Sequence, residues 1–254
     1  MSFRAKFLHA VQQMKTLEAG MDAWIATEPY TVDIHVEAQT GERVGVAMLR
    51  EQPNPQWALD IGDCLYGFRS SLDHLAFELA EHHTAAPLPS NIAKDTEFPI
   101  YGPMAPDQNL LTKKIGAIDP AAKAIIEALQ PHHRGNPAFE RDPLWILSQL
   151  CNLDKHRTLH VVVPAKKGIK LNLISGLIGN VQYASGPVNH GAEVIRFSLT
   201  PDDQGNMEVQ LHLPYFVSFS EDSPAFGEPV IATLNAITGR IAQDVFGPLA
   251  VFLR

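Results

Sequence analysis

Apolar residues recur at helical spacing in several long stretches of this chain and alternate with polar ones in several short stretches. Over residues 3–26, Phe7, Val11, Met14, Leu17, Met21 and Trp24 fall on one face, which predicts a first helix. Residues 30–38 then alternate, with Tyr30, Val32, Ile34 and Val36 to one side and Thr31, Asp33, His35 and Glu37 to the other. The turn signal Gln39-Thr40-Gly41 and a second extended run over 42–50 complete a predicted hairpin. The longest helical pattern covers 54–84. At 100° per residue Trp57, Ile61, Leu65, Phe68, Leu72, Leu75 and Leu79 share one stripe. Asn54 stands at the N-cap position and Pro55 at the first helical position.

The opposite side of this central helix is unusual. Asp63, Gly67, Ser70 and His74 form a line there, with Asp60 and Ser71 beside it. A face turned to water normally carries Lys and Glu; small residues and a histidine imply that a second helix or a ligand covers it. Arg69 and Asp73 lie four apart along one edge, the spacing of a helical ion pair.

Residues 85–108 form a long, proline-rich irregular segment, and Thr96–Tyr101 within it reads as extended chain pinned by its aromatics. Short helices are predicted at 107–115 and 119–130, the second capped by Asp119 with Pro120 at its start, before a turn-rich stretch to Asp142. Residues 143–159 predict another helix whose apolar side uses Ile146, Leu147, Leu150 and Leu153. Asp154 falls on that apolar side, where a carboxylate is costly unless paired, and Arg69 is its expected cation. This helix should pack on the central one, with Gly67, Ser70 and Ser71 permitting close approach. Strands are predicted at 160–164, 169–174, 180–184, 192–200 and 207–220, and an amphipathic helix at 228–246. The outcome is a single α+β domain over 1–254. Its helical half comprises about 1–27, 54–160 and 228–247, and its antiparallel sheet of about six or seven strands comprises 30–50 and 160–220. The N-terminal hairpin is expected to join that sheet, since an isolated hairpin is marginal in water.

Composition changes this picture little. A formal charge of −8 argues against a broad nucleic-acid-coating face. It leaves room for a local basic pocket from Lys113, Lys114, Arg134, Lys166, Lys167 and Lys170. Cys64 and Cys151 cannot build a disulfide framework, so a reducing compartment is expected. Neither a signal peptide nor an apolar run of about 18 residues is present, and the reading is a soluble cytoplasmic protein without a membrane partner.

Two constellations carry candidate chemistry. Arg69-Ser-Ser-Leu-Asp-His74 resembles the R-x4-H motif of HEPN-type ribonucleases, a family built on helical bundles. The resemblance implies His74 as the base that takes a ribose 2′-hydroxyl proton and Arg69 as the stabiliser of the phosphorane, with no metal or cofactor. The motif is short, and Arg4-Ala-Lys-Phe-Leu-His9 in the first helix matches it too. The bland alternative is an Arg69–Asp73 pair with His74 hydrogen-bonded between helices.

The second constellation is Asn152-Leu-Asp-Lys-His-Arg157, too polar for the end of an otherwise apolar helix. Together, R-S-x-L-D-H-L, F-P-I, P-L-W-x-L and L-D-K-H-R resemble a large uncharacterised family of bacterial and phage proteins, across 55–160; no established activity comes with it. The expected catalytic set is Arg69, His74, Asp73 and His156. Ser70, Asn152, Asp154, Lys155 and Arg157 would bind substrate, with RNA at a local site and a second copy of the chain as expected partners. Two alternatives stand beside this reading. One is a non-catalytic binding or interaction protein with a buried polar helix–helix network. The other is a metal-dependent hydrolase in which His156 and His160, at i,i+4, would pair on a zinc ion. His82-His83 and His132-His133 read as helix-end or loop residues. No P-loop, dinucleotide fingerprint or nucleophile elbow is present.

Overall fold

The computed structural model describes residues 2–84, 87–156, 161–162, 164–165, 170–173, 178–184, 186–187, 189–199, 209–212, 216–220 and 222–253. Along the chain run α1 (Phe3–Ile25), β1 (Tyr30–Val36), β2 (Arg43–Leu49), α2 (Gln56–Thr84), α3 (Ser90–Ala93), α4 (Gln108–Ile115), α5 (Pro120–Ala128) and α6 (Pro143–His156). Then come β3 (Val161–Val162), β4 (Pro164–Ala165), β5 (Lys170–Leu173), β6 (Ile178–Tyr183), β7 (Gly186–Pro187), β8 (Glu193–Leu199), β9 (Val209–His212), β10 (Ser218–Phe219) and α7 (Val230–Gly239). A π-helical turn, Arg240–Phe246, carries α7 on into α8 (Gly247–Leu249).

The caps explain several of these boundaries. The Ser2 hydroxyl accepts from the Ala5 N–H, and Asn54 Oδ1 accepts from the Gln56 N–H at 2.9 Å. Asp107 and Asp119 do the same for the orphan donors of α4 and α5. Asp142 at the head of α6 is completely buried. It accepts from the Leu144 N–H at 2.8 Å, from Arg240 Nη2 at 3.4 Å and from Arg134 Nε.

Helix α2 is the centre of the core, with Ile61, Leu65, Phe68, Leu72 and Leu75 fully buried. Helix α1 runs antiparallel along it. The Phe3 N–H donates to Glu78 Oε1 at 2.7 Å, Ala10 abuts Gly67, and Gly20 lies beside Trp57. A Cβ on Gly67 would stand 2.7 Å from that of Ala10, so glycine is what lets these two helices touch. The covering helix expected over the Gly67 face is therefore α1. Phe246 stacks edge-on against Phe3 and Phe7 at 4.7 and 5.1 Å, which ties the C-terminal helical segment to α1.

Helix α6 packs antiparallel on another side of α2. Cys151 Sγ donates to the Leu65 carbonyl at 3.6 Å, and Asp154 sits against Gly62. Direct packing of the two helices was expected; the residues that allow it differ. Close approach is made at Gly62, whose Cβ would fall 2.8 Å from Asp154 Oδ2, whereas Gly67 faces α1. Ser71 is buried and gives its hydroxyl to the Phe68 carbonyl, and Ser70 lines an open cleft.

The segment between α2 and α4 is held as an extended strap. Phe98 is buried in the core. Gln130 Nε2 donates to the Pro99 carbonyl, and Gln130 Oε1 accepts from the Tyr101 N–H, both at 2.9 Å.

The architecture is mixed helix and sheet, with a four-stranded antiparallel sheet ordered β1-β2-β8-β6. The hairpin does join the later strands: β2 pairs with β8, with a register shift between Gly45 and Val46. Arg196 on β8 secures that junction, donating to Glu37 at 2.7 Å, Glu42 at 3.2 Å and Glu193 at 3.0 Å. A single sheet of six or seven strands is not what forms among the described residues. Among the described residues β3–β10, β4–β7 and β5–β9 are separate two-stranded pairs.

Candidate functional site

Four residues of α2, Gly62, Tyr66, Arg69 and Asp73, follow one another at spacings of four, three and four. They therefore form one line along the helix. That line faces Ser148, Cys151, Asn152, Asp154 and Lys155 of α6 across a cleft of about 350 Å³, closed at one end by Glu97 and Ile100 of the strap and Lys114 of α4. Tyr66 stands on the rim, 69% exposed, and Asn152 and Lys155 are exposed on the opposite wall.

At the strap end, Arg69 Nη2 donates to Asp73 Oδ1 at 2.8 Å and to the Phe98 carbonyl at 2.7 Å. The same Asp73 oxygen accepts from the Phe98 N–H at 3.0 Å. One guanidinium nitrogen thus holds the side chain in place. The other N–H donors of Arg69 have no partner among the described residues, so a fixed cation faces the cleft with donors to spare. Lys114 is bonded to Glu97. Burial pushes the Asp73 carboxyl above its ordinary range, and the Arg69 charge opposes that shift.

At the other end the balance differs. Asp154 is half-buried against the α2 backbone at Gly62, and no cation pairs with it among the described residues. Burial raises its carboxyl first, and the negative charge of Asp63 adds to the rise. The expected Asp154–Arg69 pair is not formed. Asp73, one turn further along α2, and the Phe98 carbonyl occupy Arg69 instead. Cys151 lies between the two ends. Burial pushes its thiol up to about 12 despite the opposing charges of Arg69 and Lys155. Cys64 is likewise pushed to about 12 by burial, so neither thiol is poised as a nucleophile.

The residues nominated from sequence are thus divided. Arg69, Asp73, Asn152, Asp154 and Lys155 share this cleft. His74 and Ser70 line a second, more open cleft of about 660 Å³ with Phe77, Glu78, Glu81 and Thr96, and Asp73 borders both. His156 is exposed in the last turn of α6 and lines neither cleft, and Arg157 and His160 lie outside the described residues. Among the described residues no group of three His, Cys, Asp or Glu side chains is arranged to hold a metal ion. Of the basic residues expected to form a pocket, the described ones are paired with carboxylates: Lys113 with Asp95 at 3.3 Å, Lys114 with Glu97 and Arg134 with Asp142. Lys166 and Lys167, and the side chain of Lys170, lie outside the described residues. His83 meets Asp119 at 3.6 Å, and His132 stacks on His133 with ring centres 4.1 Å apart. Burial and the neighbouring His133 push His132 below its ordinary range.

Comparison with protein-family models, with curated proteins and with solved structures finds no match to this chain. No described helix is long and apolar enough to cross a membrane.

Sequence reasoning missed Tyr66, Gly62, Ser148 and Glu97, and named Lys114 only as part of a basic pocket. The first could have been found, since Gly62, Tyr66, Arg69 and Asp73 share one line at helical spacing. The more conspicuous line of small and polar residues, Asp63, Gly67, Ser70 and His74, is its neighbour, about 100° away. Glu97 and Lys114 arrive from distant elements, and no local pattern places them.

Proposed function

We propose that this protein binds a small polar ligand in the α2–α6 cleft. The observation that carries the reading is Asp154, a half-buried carboxylate with no cation among the described residues, in a cleft whose opposite end presents a fixed arginine. A polar network that served only to lock two helices would gain most by pairing every charge, because an unmatched charge away from water is costly. Groups left unmatched in a concave site are where ligands supply the missing partner. The test is a ligand-observed NMR screen of polar metabolites against the wild type and Asn152→Trp. Asn152 is exposed, so a tryptophan there fills the cleft without disturbing the core. Cleft ligands should be lost in this variant at unchanged melting temperature. Ligands that survive the substitution, or an empty screen, would refute the reading.

A second reading has one observation in its favour. Asp73 borders both clefts, so an RNA strand lying across it would meet Arg69 on one side and His74 on the other. In the HEPN-like scheme His74 takes the 2′-hydroxyl proton and Arg69 stabilises the phosphorane, leaving 2′,3′-cyclic phosphate and 5′-hydroxyl ends without a metal. His74→Ala would then lose roughly 10²–10⁴-fold in cleavage at unchanged melting temperature. Arg69→Lys would be impaired as well, since lysine lacks the planar fork. A wild-type protein that leaves structured and unstructured RNAs intact removes this reading.

A further inference from the structure

We infer that the ligand of the α2–α6 cleft is a zwitterion, with a cationic head held between Asp154 and Tyr66 and an acid group held by Arg69. The inference rests on the binding reading above and names its substrate class. Three features carry it. First, the charges are distributed unevenly along the cleft. Asp154 abuts Gly62, and Tyr66 follows four residues on along the same line of α2, before Arg69, so a carboxylate ends the cleft and an exposed aromatic ring borders the space between it and the arginine. An anion beside an aromatic face is the arrangement that receives an ammonium or guanidinium group. Second, Arg69 at the far end is fixed through Nη2 by Asp73 and the Phe98 carbonyl, with its remaining donors unassigned among the described residues. A guanidinium pre-set in this way is suited to a carboxylate or phosphate. Third, Lys155 on the α6 wall has no ion-pair partner among the described residues and adds positive potential over Cys151 in the middle of the cleft.

The two ends are well separated. Gly62 and Arg69 are seven residues apart, about 10 Å along a helix rising 1.5 Å per residue. The Arg69 guanidinium is drawn on to Asp73, a further turn from Gly62, so bridging the two charges calls for a ligand longer than an α-amino acid. A purely anionic ligand would leave Asp154 unmatched, and a purely cationic one would meet Arg69 and Lys155.

Calorimetry and protein-observed NMR on the full chain test this with glycine, γ-aminobutyrate and ε-aminohexanoate, and with butyrate and butylamine as singly charged controls. Affinity should rise from glycine to γ-aminobutyrate or ε-aminohexanoate, and both controls should bind at least about ten-fold more weakly than the best zwitterion. Asp154→Asn, nearly isosteric, should cost the zwitterions about ten-fold or more and leave butyrate unchanged. Tyr66→Ala, at a position too exposed to matter for folding, should cost about two- to five-fold. If butyrate or butylamine binds the cleft as tightly as the best zwitterion, or Asp154→Asn leaves zwitterion binding intact, the zwitterion falls while the binding cleft stands. If neither these probes nor the metabolite screen perturbs a cleft resonance, both fall.

Discussion

Replacing Gly67 with alanine is the sharpest test of the helix core. In isolation the change should help, because alanine is favoured over glycine inside a helix by about 1 kcal/mol. The tertiary structure opposes it. The new Cβ would lie 2.7 Å from the Ala10 Cβ, where carbon atoms prefer about 3.5–4.0 Å. Ala10 is fully buried and its Cβ has no torsion to turn, so relief requires α1 to move outward by about 1 Å. Overpacking of that kind costs about 1–3 kcal/mol. The net expectation is a destabilisation of up to about 2 kcal/mol, read as a lower urea midpoint at unchanged slope. Ala10→Gly alone should also destabilise, through propensity. The double variant should recover part of the loss, with a favourable coupling of about 1–2 kcal/mol in the cycle. If Gly67→Ala gains the full propensity term and the two changes are additive, α1 and α2 do not meet at this pair.

Asp142 should be among the most sensitive positions outside the cleft. Removing it as Asp142→Ala leaves Arg240 and the start of α6 without their buried acceptor, so a loss of about 3–5 kcal/mol is expected in the same urea assay. Asp154 should behave in the opposite sense. Burial and Asp63 raise its folded carboxyl above the ordinary 3.8, so the folded state holds that proton more tightly than the unfolded chain does. The stability it contributes is present below the unfolded value and is lost as pH rises through the folded one. Asp154→Asn should therefore be more stable than wild type at pH 7, with the difference closing below about pH 4. A variant that is less stable at neutral pH would mean that a cation compensates Asp154.

What the sequence determined by itself is local. Stripe periodicity located α1, α2, α6 and α7 to within a few residues, and alternation found the β1–β2 hairpin. Asn54 and Asp119 marked helix starts, because each cap acts on donors two or three residues away. The Arg69–Asp73 pair was legible for the same reason: one turn of one helix fixes its geometry. The tertiary structure decided everything that depends on which face meets which. Gly67 and Gly62 are both small residues on α2, yet one admits α1 and the other admits Asp154 of α6. Arg69 had two candidate carboxylates, and the Phe98 strap, arriving from 29 residues away, completed the site around Asp73. Arg69 and His74 are close in sequence but about 140° apart around the helix, and the packing of neighbouring elements turned that angle into two clefts. The short strands after α6 paired with distant partners, Val161 with Phe219 and Lys170 with His212. Each such run is too short to select its own partner, so the sheet's order emerges only when the chain closes on itself.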